Sequence, residues 1–514
     1  MNEISFKSVE PLVRAGFTHD LPTQPKPHLG KILVTGATGY IGGRLVPELV
    51  SRGYQVRVMV RSESTDYRER WPDTEVVLAD ARNPDQLQSA LEGIHVAYYL
   101  IHSLLLGQKE FESVDIEAAN NFRMAAEKKG VKRIIYLSGL GDVRGKLSSH
   151  LRSRLEVAKT LDNGPIPVTV LRAGMIIGSG SASYEILKNL VENTPVFFIP
   201  YWAKTKCQPI AIRDVIKYLV GVLEIEDTSG NSFDIGGSDI VTYDQMLRLF
   251  AKVLGKKRIF LPALITNTAL YGYLASLLTP VPGPITKVLV QGCKNEVICI
   301  NNDIKNYLPF EPLTLKTSLI KALEQEKRDE ITSRWSDAYP RDYNLAIKLH
   351  QLDPPPEYTS SYCLLTYKSA SSLFESFCYI GGEMGWFNSN WMWRLRGLLD
   401  SIAMGVGTSR GRRSAKDLRI NDVIDFFRVE NIVKDKLLLL RAEMKLPGKA
   451  WLEFSIDNYE GLNKLSVNAY FEPHGFAGRA YWYNFLPFHI FIFRDLIKQI
   501  DKRSVLKSGI CLSR

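Results

Sequence analysis

The chain has 514 residues, of which 45% are hydrophobic and 23% charged, and its formal net charge is +10. This composition excludes disordered and fibrous proteins, and the length allows two or three hydrophobic cores. The positive charge fits an anionic cofactor, a membrane surface or nucleic acid, but no nucleic-acid-reading motif is present, so we predict no nucleic-acid partner.

We predict an extended tail over residues 1–29, because they contain Pro22, Pro25 and Pro27. These residues include no continuous apolar segment of the kind found in a secretory signal. The six cysteines of the chain include no Cys-x-x-Cys pair and no zinc-ligand spacing. Such cysteines are typical of reduced thiols. We therefore expect a cytoplasmic protein with no metal site.

Residues 31–43 read Lys-Ile-Leu-Val-Thr-Gly-Ala-Thr-Gly-Tyr-Ile-Gly-Gly, a short apolar strand that leads into a glycine-rich turn and a helix. Gly36 allows the tight turn, Gly39 lets the backbone approach a pyrophosphate, and Gly42 lets the helix pack close to the sheet. The phosphates are expected at the helix N-terminus, where unpaired N–H groups favour negative charge. The remaining predicted cofactor-binding residues of this turn are Thr38, Tyr40 and Ile41.

The next predicted strand, residues 54–60, ends at Arg61, roughly 20 residues beyond the glycines. In a site specific for NAD, an acidic residue at this position binds the ribose 2′-hydroxyl. A guanidinium instead forms a bidentate pair with a 2′-phosphate. The sequence therefore favours NADP as the cofactor and leaves NAD as the alternative.

Apolar strands continue to alternate with helical patterns after Arg61. Strands are predicted over residues 75–80, 96–101 and 133–137. This alternation predicts an α/β fold with a doubly wound parallel sheet, in which the carboxyl ends of the strands meet at the ligand-binding edge.

Several motifs of this segment carry a family resemblance, among them Thr35-Gly-Ala-Thr-Gly-Tyr-Ile-Gly42, Tyr136-Leu-Ser-Gly139 and Asn231-Ser-Phe-Asp-Ile-Gly-Gly237. They resemble the short-chain dehydrogenase/reductase superfamily in its extended and atypical branch, over about residues 31–323. The resemblance implies an NAD(P)-binding Rossmann domain with a substrate lobe at residues 30–328. It also implies that Asp80 and Ala81 border the adenine, and that Leu100, His102 and Ser138 lie along the nicotinamide half of the cofactor.

The catalytic position departs from the pattern of that family. Its catalytic members carry a Tyr-x-x-x-Lys pair, in which the lysine lowers the pKa of the tyrosine. This chain has His150 and Arg154 at the same spacing, on one face of a predicted helix. Because a nearby guanidinium lowers the pKa of an imidazole, we predict a neutral His150 that transfers the proton. Ser138 is then expected to bind a carbonyl oxygen, and Arg154 to hold the cofactor ribose or the substrate.

Two functions remain open from the sequence. The first is an NADP(H)-dependent oxidoreductase that acts on an apolar carbonyl or hydroxyl substrate. The second is a non-catalytic NADP-binding redox sensor or assembly factor with a ligand- or lipid-binding C-terminal domain. The sequence determines neither the substrate nor the oligomeric state.

The composition changes after a linker predicted at residues 329–357, and five of the eight tryptophans lie in the last third of the chain. A helical apolar pattern closes the chain at residues 485–500. For residues 358–505 we predict an α+β domain, an antiparallel sheet on a long C-terminal helix, with an apolar ligand pocket. Its strands are predicted at residues 422–429, 436–443, 450–456 and 464–471.

Motifs such as Gly381-Gly-Glu-Met-Gly-Trp386 and Tyr481-Trp-Tyr-Asn-Phe-Leu-Pro-Phe-His489 occur in this C-terminal segment. They resemble the uncharacterised domain that follows an atypical dehydrogenase domain in a group of bacterial proteins. The order of strands and helix is also similar to the helix-grip fold of lipid- and polyketide-binding proteins.

Two features leave peripheral membrane contact open. Residues 259–286 contain no charge, but polar residues dilute the segment, and a buried or interfacial helix is favoured over a membrane span. A basic run is either a solvated loop or a site for anionic lipid head groups or an acidic substrate. The run consists of Arg410, Arg412, Arg413, Lys416 and Arg419.

Overall fold

The structure is a computed structural model of the chain. It describes residues 16–61, 67–102, 111–141, 147–328, 331–337, 348–382, 385–386, 390–402, 405–407, 412 and 418–504. These residues form two large sheets, a parallel one before residue 236 and an antiparallel one after residue 357.

The strands of the first part are short and mostly buried. They are β1 (Lys31–Val34), β2 (Val56–Val60), β3 (Thr74–Leu78), β4 (Ile94–Tyr99), β5 (Arg133–Gly139), β6 (Val168–Ala173), β7 (Ile176–Ile177), β8 (Val196–Ile199), β9 (Lys206–Cys207), β10 (Ile210–Ala211), β11 (Ser232–Ile235), β12 (Val241–Thr242) and β13 (Ile259–Pro262).

The helices of this part are α1 (Gly42–Ser51), α2 (Tyr67–Arg70), α3 (Pro84–Ala90), α4 (Phe111–Lys128), α5 (Ser149–Asp162), α6 (Ala182–Asn193), α7 (Ile212–Glu224), α8 (Tyr243–Val253), α9 (Thr268–Leu278), α10 (Gly283–Gly292), α11 (Ile304–Tyr307) and α12 (Leu315–Lys327).

Seven of the strands form one parallel sheet in the order β3-β2-β1-β4-β5-β6-β11. Helices α1 and α7 share a core with one face of the sheet, and α3, α4 and α5 share a core with the other. Chain order reverses between β1 and β4, and ligands of such sheets bind outside the carboxyl ends of the strands at this reversal. The doubly wound parallel sheet predicted from the sequence is confirmed.

The second sheet is antiparallel throughout, in the order β14-β19-β18-β17-β16-β15. Its strands are β14 (Tyr358–Thr366), β15 (Val423–Ile424), β16 (Phe427–Val433), β17 (Leu437–Ala442), β18 (Gly448–Tyr459) and β19 (Leu462–Pro473). The helices are α13 (Ala370–Cys378), α14 (Asn390–Ile402) and α15 (Gly475–Arg503). Helix α15 packs on β19 and β14, which confirms the predicted antiparallel sheet on a long C-terminal helix.

The structure also differs from the predictions in this second part. The strand expected over residues 422–429 is two strands, β15 and β16, because Asp425 takes a positive φ of 52° at the turn between them. Aspartate is among the few residues that tolerate this conformation. Strand β14 and helix α14 were not predicted, and α15 begins ten residues before the predicted start.

The uncharged segment 259–286 does not form one continuous helix. It is divided among β13, α9 and the start of α10, and α9 packs against α10. Contact of this segment with a membrane surface stays a prediction. Within the ranges given above, no helix is both long enough and apolar enough to cross a membrane.

The predicted basic run lies only partly inside the described residues, since Arg410, Arg413 and Lys416 fall outside them. Arg412 donates hydrogen bonds to the carbonyl oxygens of Cys378 and Ile380, at 2.6 and 3.0 Å. This arginine therefore fastens the end of α13 rather than projecting freely into solvent.

Candidate functional site

Two glycines of the turn after β1, Gly36 and Gly42, lie where a side chain would collide with the backbone. Gly36 has a φ of +62°, and a Cβ atom there would lie 2.6 Å from the carbonyl oxygen of Leu100. A Cβ atom on Gly42 would lie 2.4 Å from the carbonyl oxygen of Gly36. A Cβ atom on Gly39 would meet only the Gly36 oxygen, at 3.3 Å, so this part of the turn has space beside it.

The first amides of α1 are available at this turn. The amides of Tyr40, Ile41 and Gly42 donate to no backbone group of the described residues, and Ile41 at the N-cap forms no side-chain cap. Backbone N–H groups at a helix N-terminus bind anions through their dipoles and unpaired hydrogens. The geometry therefore fits a diphosphate.

The turn is held against β4 by one hydroxyl. The Thr35 hydroxyl donates to the carbonyl oxygen of Tyr98 and accepts from the Leu100 amide, at 3.0 and 2.9 Å. Leu100, predicted to contact the cofactor, thus lies directly beside Gly36 and supports the turn.

The residues predicted to surround the adenosine lie at the same sheet edge. Arg61 directly follows β2 and is exposed, and Asp80 and the buried Ala81 follow β3. The Asp80 carboxylate accepts from the Arg82 amide at 2.8 Å, and the Asp80 amide donates to Gln86 at 2.9 Å. These contacts fix the loop after β3, while cofactor contact by Arg61, Asp80 and Ala81 stays a prediction.

A second arginine, not singled out from the sequence, lies beside the turn. Arg70 of α2 stacks on Trp71, with 4.7 Å between the guanidinium carbon and the ring centroid. Its buried Nη2 atom has no hydrogen-bond partner in the part of the chain that the structure describes. Together with Thr38, it borders a narrow gap whose opposite wall is formed by residues 419–422 of the second part.

The segment 331–337 runs along the start of α1. The buried Arg44 side chain donates to the carbonyl oxygens of Ser333 and Ser179, both at 2.9 Å. The Ser333 hydroxyl donates to the carbonyl oxygen of Tyr40 at 2.9 Å. These bonds place the linker directly against the glycine-rich turn.

A group of titratable side chains lies beyond the carboxyl ends of β4 and β5. His102, after β4, has its Nδ1 atom 2.9 Å from the carboxylate of Asp115 in α4. The His102 and His150 rings lie 5.1 Å apart between centroids. The Ser153 hydroxyl donates to the same Asp115 carboxylate at 3.4 Å. Asp115 therefore holds His102, and His102 lies against His150, at the predicted nicotinamide end.

Burial keeps both imidazoles neutral near pH 7. It lowers the pKa of His102 to about 4, with a further decrease from Arg154, while the Asp115 carboxylate only partly opposes the shift. Burial, followed by His102 and Arg154, lowers the pKa of His150 well below its ordinary range. A neutral His150 was predicted, but desolvation rather than the guanidinium is the main cause.

Ser138 and Arg154 lie together on β5 and α5. The Ser138 hydroxyl donates to the Arg154 carbonyl oxygen at 3.3 Å. The Arg154 guanidinium donates to the Tyr136 hydroxyl at 3.4 Å and to the Leu137 carbonyl oxygen at 3.5 Å. A tyrosine beside a cation is therefore present, but the tyrosine comes from the strand, and burial raises its pKa.

The structure thus brings most predicted site residues to one edge. The turn residues and Leu100 lie at the reversal between β1 and β4, and His102, His150, Ser138 and Arg154 lie at the ends of β4 and β5. Sequence reasoning missed Asp115, Tyr136 and Arg70. For Asp115 the available signal was an acidic residue early in the helix that follows the His102 strand.

An apolar cavity of about 270 Å³ lies in the second part, between the sheet, α14 and α15. Eleven of its 23 lining residues are Trp, Phe or Tyr, and all 23 fall between Trp391 and Phe493. It shares no lining residue with the site around Ser138 and His150.

Two family models match the chain. The model described as "NmrA-like family" covers residues 29–277, and "Protein of unknown function (DUF2867)" covers residues 355–496. The chain joins an NmrA-like domain to a DUF2867 domain. The NmrA-like domain is of the atypical short-chain dehydrogenase/reductase type, which confirms the resemblance found in the sequence.

Curated relatives match the NmrA-like part. Divinyl chlorophyllide a 8-vinyl-reductase of Cucumis sativus is 26% identical over 44% of this chain and 57% of its own length. Ceramide reductase of Caulobacter vibrioides is 27% identical over 48% of this chain and 79% of its own length. The photosystem II assembly factor Ycf39 of Trieres chinensis is 22% identical over 44% of this chain and 69% of its own length. The chain spans about three fifths of the length of the first relatives it matches.

Solved structures also match this part. Triphenylmethane reductase of Citrobacter sp., complexed with NADP(H), is 21% identical, with a TM-score of 0.47 over 57% of this chain and 99% of the reductase.

Proposed function

We propose that the protein is an NADP(H)-dependent oxidoreductase that acts on an apolar carbonyl or hydroxyl substrate. The observation that supports this best is the juxtaposition of an open helix N-terminus at the glycine-rich turn with a neutral histidine pair at the same sheet edge. Two relatives of the NmrA-like domain are reductases, which also supports this proposal.

The turn and the neighbouring strand ends would hold the cofactor. The amides of Tyr40, Ile41 and Gly42 bind the diphosphate, and the Arg61 guanidinium pairs with the 2′-phosphate in this proposal. When bound, NADP(H) supplies or accepts the hydride. The space beside Gly39 and the exposure of Arg61 are compatible with both contacts.

The histidine pair would carry the proton. In this proposal His150 takes the proton of a substrate hydroxyl as the hydride leaves and, in the reverse direction, gives that same proton back to the carbonyl oxygen. Its lowered pKa makes it a weak base at rest, so the proton moves together with the hydride rather than before it. Asp115 orients His102 and stabilises positive charge beside it. Ser138 would exchange its bond to the Arg154 carbonyl for one to the substrate oxygen.

The cofactor half of the proposal is tested by calorimetric titration with NADPH and NADH. We expect Arg61→Ala to weaken NADPH binding at least about tenfold and to change NADH binding little, because the lost partner is the 2′-phosphate. Arg248→Ala, on the exposed face of α8, is the matched control. Unchanged NADPH affinity in Arg61→Ala would contradict the assignment of NADP.

The catalytic half is tested by NADPH oxidation with a panel of apolar ketones and aldehydes. His150→Ala should bind NADPH normally and lose at least about 100-fold in turnover, as expected for loss of a proton-transfer group. If the protein binds NADPH but no substrate of the panel causes NADPH oxidation above background, the proposal that it is an oxidoreductase is wrong.

That result would support a second candidate, a non-catalytic NADP-binding redox sensor or assembly factor. Two observations favour it: the Ser138 hydroxyl is bonded to the Arg154 carbonyl, and the apolar cavity is separate from the histidine pair. An assembly factor and an NADH dehydrogenase subunit are also among the relatives of the NmrA-like domain.

A further inference from the structure

Helix α9 and the segment before it present large apolar side chains to solvent. Leu270, Leu274 and Leu278 recur at every fourth position of the helix and are all exposed. The segment that leads into the helix adds the exposed Ile265 and the fully exposed Leu264. Amphipathic helices usually direct such a stripe toward the core, so this stripe is turned the opposite way.

Helices α14 and α15 repeat this arrangement. Trp391, Leu395 and Leu398 follow helical spacing on α14, and Trp391 is 63% exposed. Phe488 and Phe491 lie about one turn apart on α15 and are 50% and 64% exposed. Single exposed apolar residues are normal on a protein surface, whereas a contiguous group of them marks an interaction site.

The three stripes adjoin one another. Helix α9 contacts α14. Leu395 of α14 and Phe488 of α15 line the same apolar cavity, and each is about half exposed. The stripes of α9, α14 and α15 therefore form one apolar surface, which extends from the NmrA-like domain into the DUF2867 domain and contains the opening of the cavity.

The charge around this apolar surface has a single sign. Residues 245–295, which include α9, contain seven Lys and Arg and no Asp or Glu, and residues 390–399 and 475–494 each contain two arginines and no acid. Three of these eleven cations, Arg248, Arg396 and Arg479, have an acidic partner outside these ranges, and the other eight form no ion pair with any described residue. Cations beside an exposed apolar surface complement anionic lipid head groups above their acyl chains.

A second copy of the chain fits the apolar surface less well. In a two-fold dimer the same patch faces itself, so the unpaired cations of both copies would come together and oppose association. A lipid surface supplies the missing anions instead. It also leaves the cavity open to apolar molecules dissolved in the bilayer.

We propose that the protein docks through this apolar surface on membranes that contain anionic lipids, with the cavity of the DUF2867 domain opening toward the lipid. Both domains take part, since α9 belongs to the first and α14 and α15 belong to the second. The docking does not depend on the proposed NADP(H) activity.

Flotation of the full chain with unilamellar vesicles tests the proposal. We expect at least about tenfold stronger binding to vesicles of phosphatidylcholine and phosphatidylglycerol in equal parts than to vesicles of phosphatidylcholine alone, because each cation near an anionic surface adds to the attraction. No binding to the mixed vesicles, or equal binding to both kinds, would overturn the proposal.

Charged substitutions in each domain locate the contact. Leu264→Glu and Leu398→Glu should each weaken binding to the mixed vesicles at least about tenfold, because each replaces an exposed apolar side chain that would be buried in lipid. Met124→Glu, at a half-exposed position of α4, is the matched control and should bind as the unmodified chain does. Circular dichroism checks that all three variants keep the fold.

The two variants also separate the lipid surface from the alternatives. A loss of binding in only one of them would refute a surface shared by both domains. A dimer that both variants dissociate in analytical ultracentrifugation, with vesicle binding unaffected by either, would identify a second copy as the occupant and overturn the proposal.

Discussion

At the scale of single residues, the histidines show how burial determines chemistry. His102, His150 and His489 all have a lowered pKa, and desolvation is the largest cause in each. The sequence indicated a neutral His150 from its distance along a helix to Arg154. It could not indicate His102 as the nearest imidazole, because that contact joins residues on separate elements.

A lowered histidine pKa makes the free energy of unfolding depend on pH. The unfolded chain binds a proton near pH 6.5, whereas folded His489 binds one only near its pKa of about 4. The unfolded state therefore holds more protons between these values, and stability falls as the pH falls through this window. We expect His489→Phe to remove about 2 kcal/mol of the stability lost between pH 7 and pH 4.5.

This prediction is checked by urea unfolding at both pH values. His474→Gln, at an exposed position just before α15, is the control and should show the same pH dependence as the unmodified chain. If His489→Phe loses as much stability as the control, the imidazole is not buried in its neutral form.

At the scale of elements, the glycine-rich turn separates requirements of the fold from those of a ligand. Gly36 and Gly42 are excluded from carrying a side chain by the backbone oxygens of Leu100 and Gly36. Gly39 faces much less restriction from the protein, which leaves the approach of a ligand as the reason for a glycine there.

Two alanine variants test this separation. We expect Gly42→Ala to lower the free energy of unfolding by about 2 kcal/mol or more, because its Cβ would lie 2.4 Å from a backbone oxygen. Gly39→Ala should keep most of its stability and lose NADPH affinity. Thermal unfolding and calorimetric titration of both variants measure the two effects, and the opposite ranking would refute this division of roles.

The predictability of the elements differs between the two parts of the molecule. Strand β2 is buried at every position and apolar at all of them except Arg57, and it ends at a clear turn signal, so the sequence located it within a few residues. Helix α14 buries only Trp393, Gly397 and Asp400, while other apolar residues of the helix line the cavity or face solvent. Trp391, Leu395, Leu398 and Ile402 do follow helical spacing, but this stripe is exposed rather than buried, and the sequence analysis did not recognise it as a helix.

The candidate site was predictable to the extent that it follows strand ends. Gly36, Arg61, Asp80 and His102 each lie within three residues of the end of a strand, and the parallel sheet brings them to one edge. Asp115 and Arg70 reach this edge through helices α4 and α2, whose positions depend on tertiary packing.

At the scale of the whole molecule, one buried arginine connects the two parts. The Arg428 guanidinium donates to the Glu443 carboxylate at 2.6 Å, to the Asn421 carbonyl oxygen at 2.8 Å and to the Ser336 carbonyl oxygen at 2.9 Å. It thereby fixes both the loop 419–422 and the segment 331–337, which lie beside Thr38 and the start of α1. The separate sequence patterns of the two domains contain no sign of this contact.

This connection predicts that a change in the DUF2867 domain alters cofactor binding in the NmrA-like domain. Arg428→Lys keeps the charge but cannot make all three bonds, so the loop beside Thr38 should lose its fixed position. We expect several-fold weaker NADPH binding by calorimetry, with the overall fold preserved by circular dichroism. Arg479→Lys, which changes an exposed ion pair with Glu357, should leave NADPH affinity unaltered. Equal NADPH affinities in the two variants would show that NADPH binding in the NmrA-like domain does not depend on the DUF2867 domain.

The long helix α15 contains Pro487, and its buried positions fall into two groups, near Gly478 and Trp482 and again from Ile492 to Ile500. Proline has no N–H, so the Tyr483 carbonyl lacks its helical donor, and the ring disfavours a straight helix at this point. The interruption lies in the stretch that carries Phe488 and His489, the part of the helix that covers the cavity. Pro487 therefore removes one backbone hydrogen bond from the part of the helix that covers the cavity, while the buried positions from Ile492 to Ile500 hold the C-terminal turns in place.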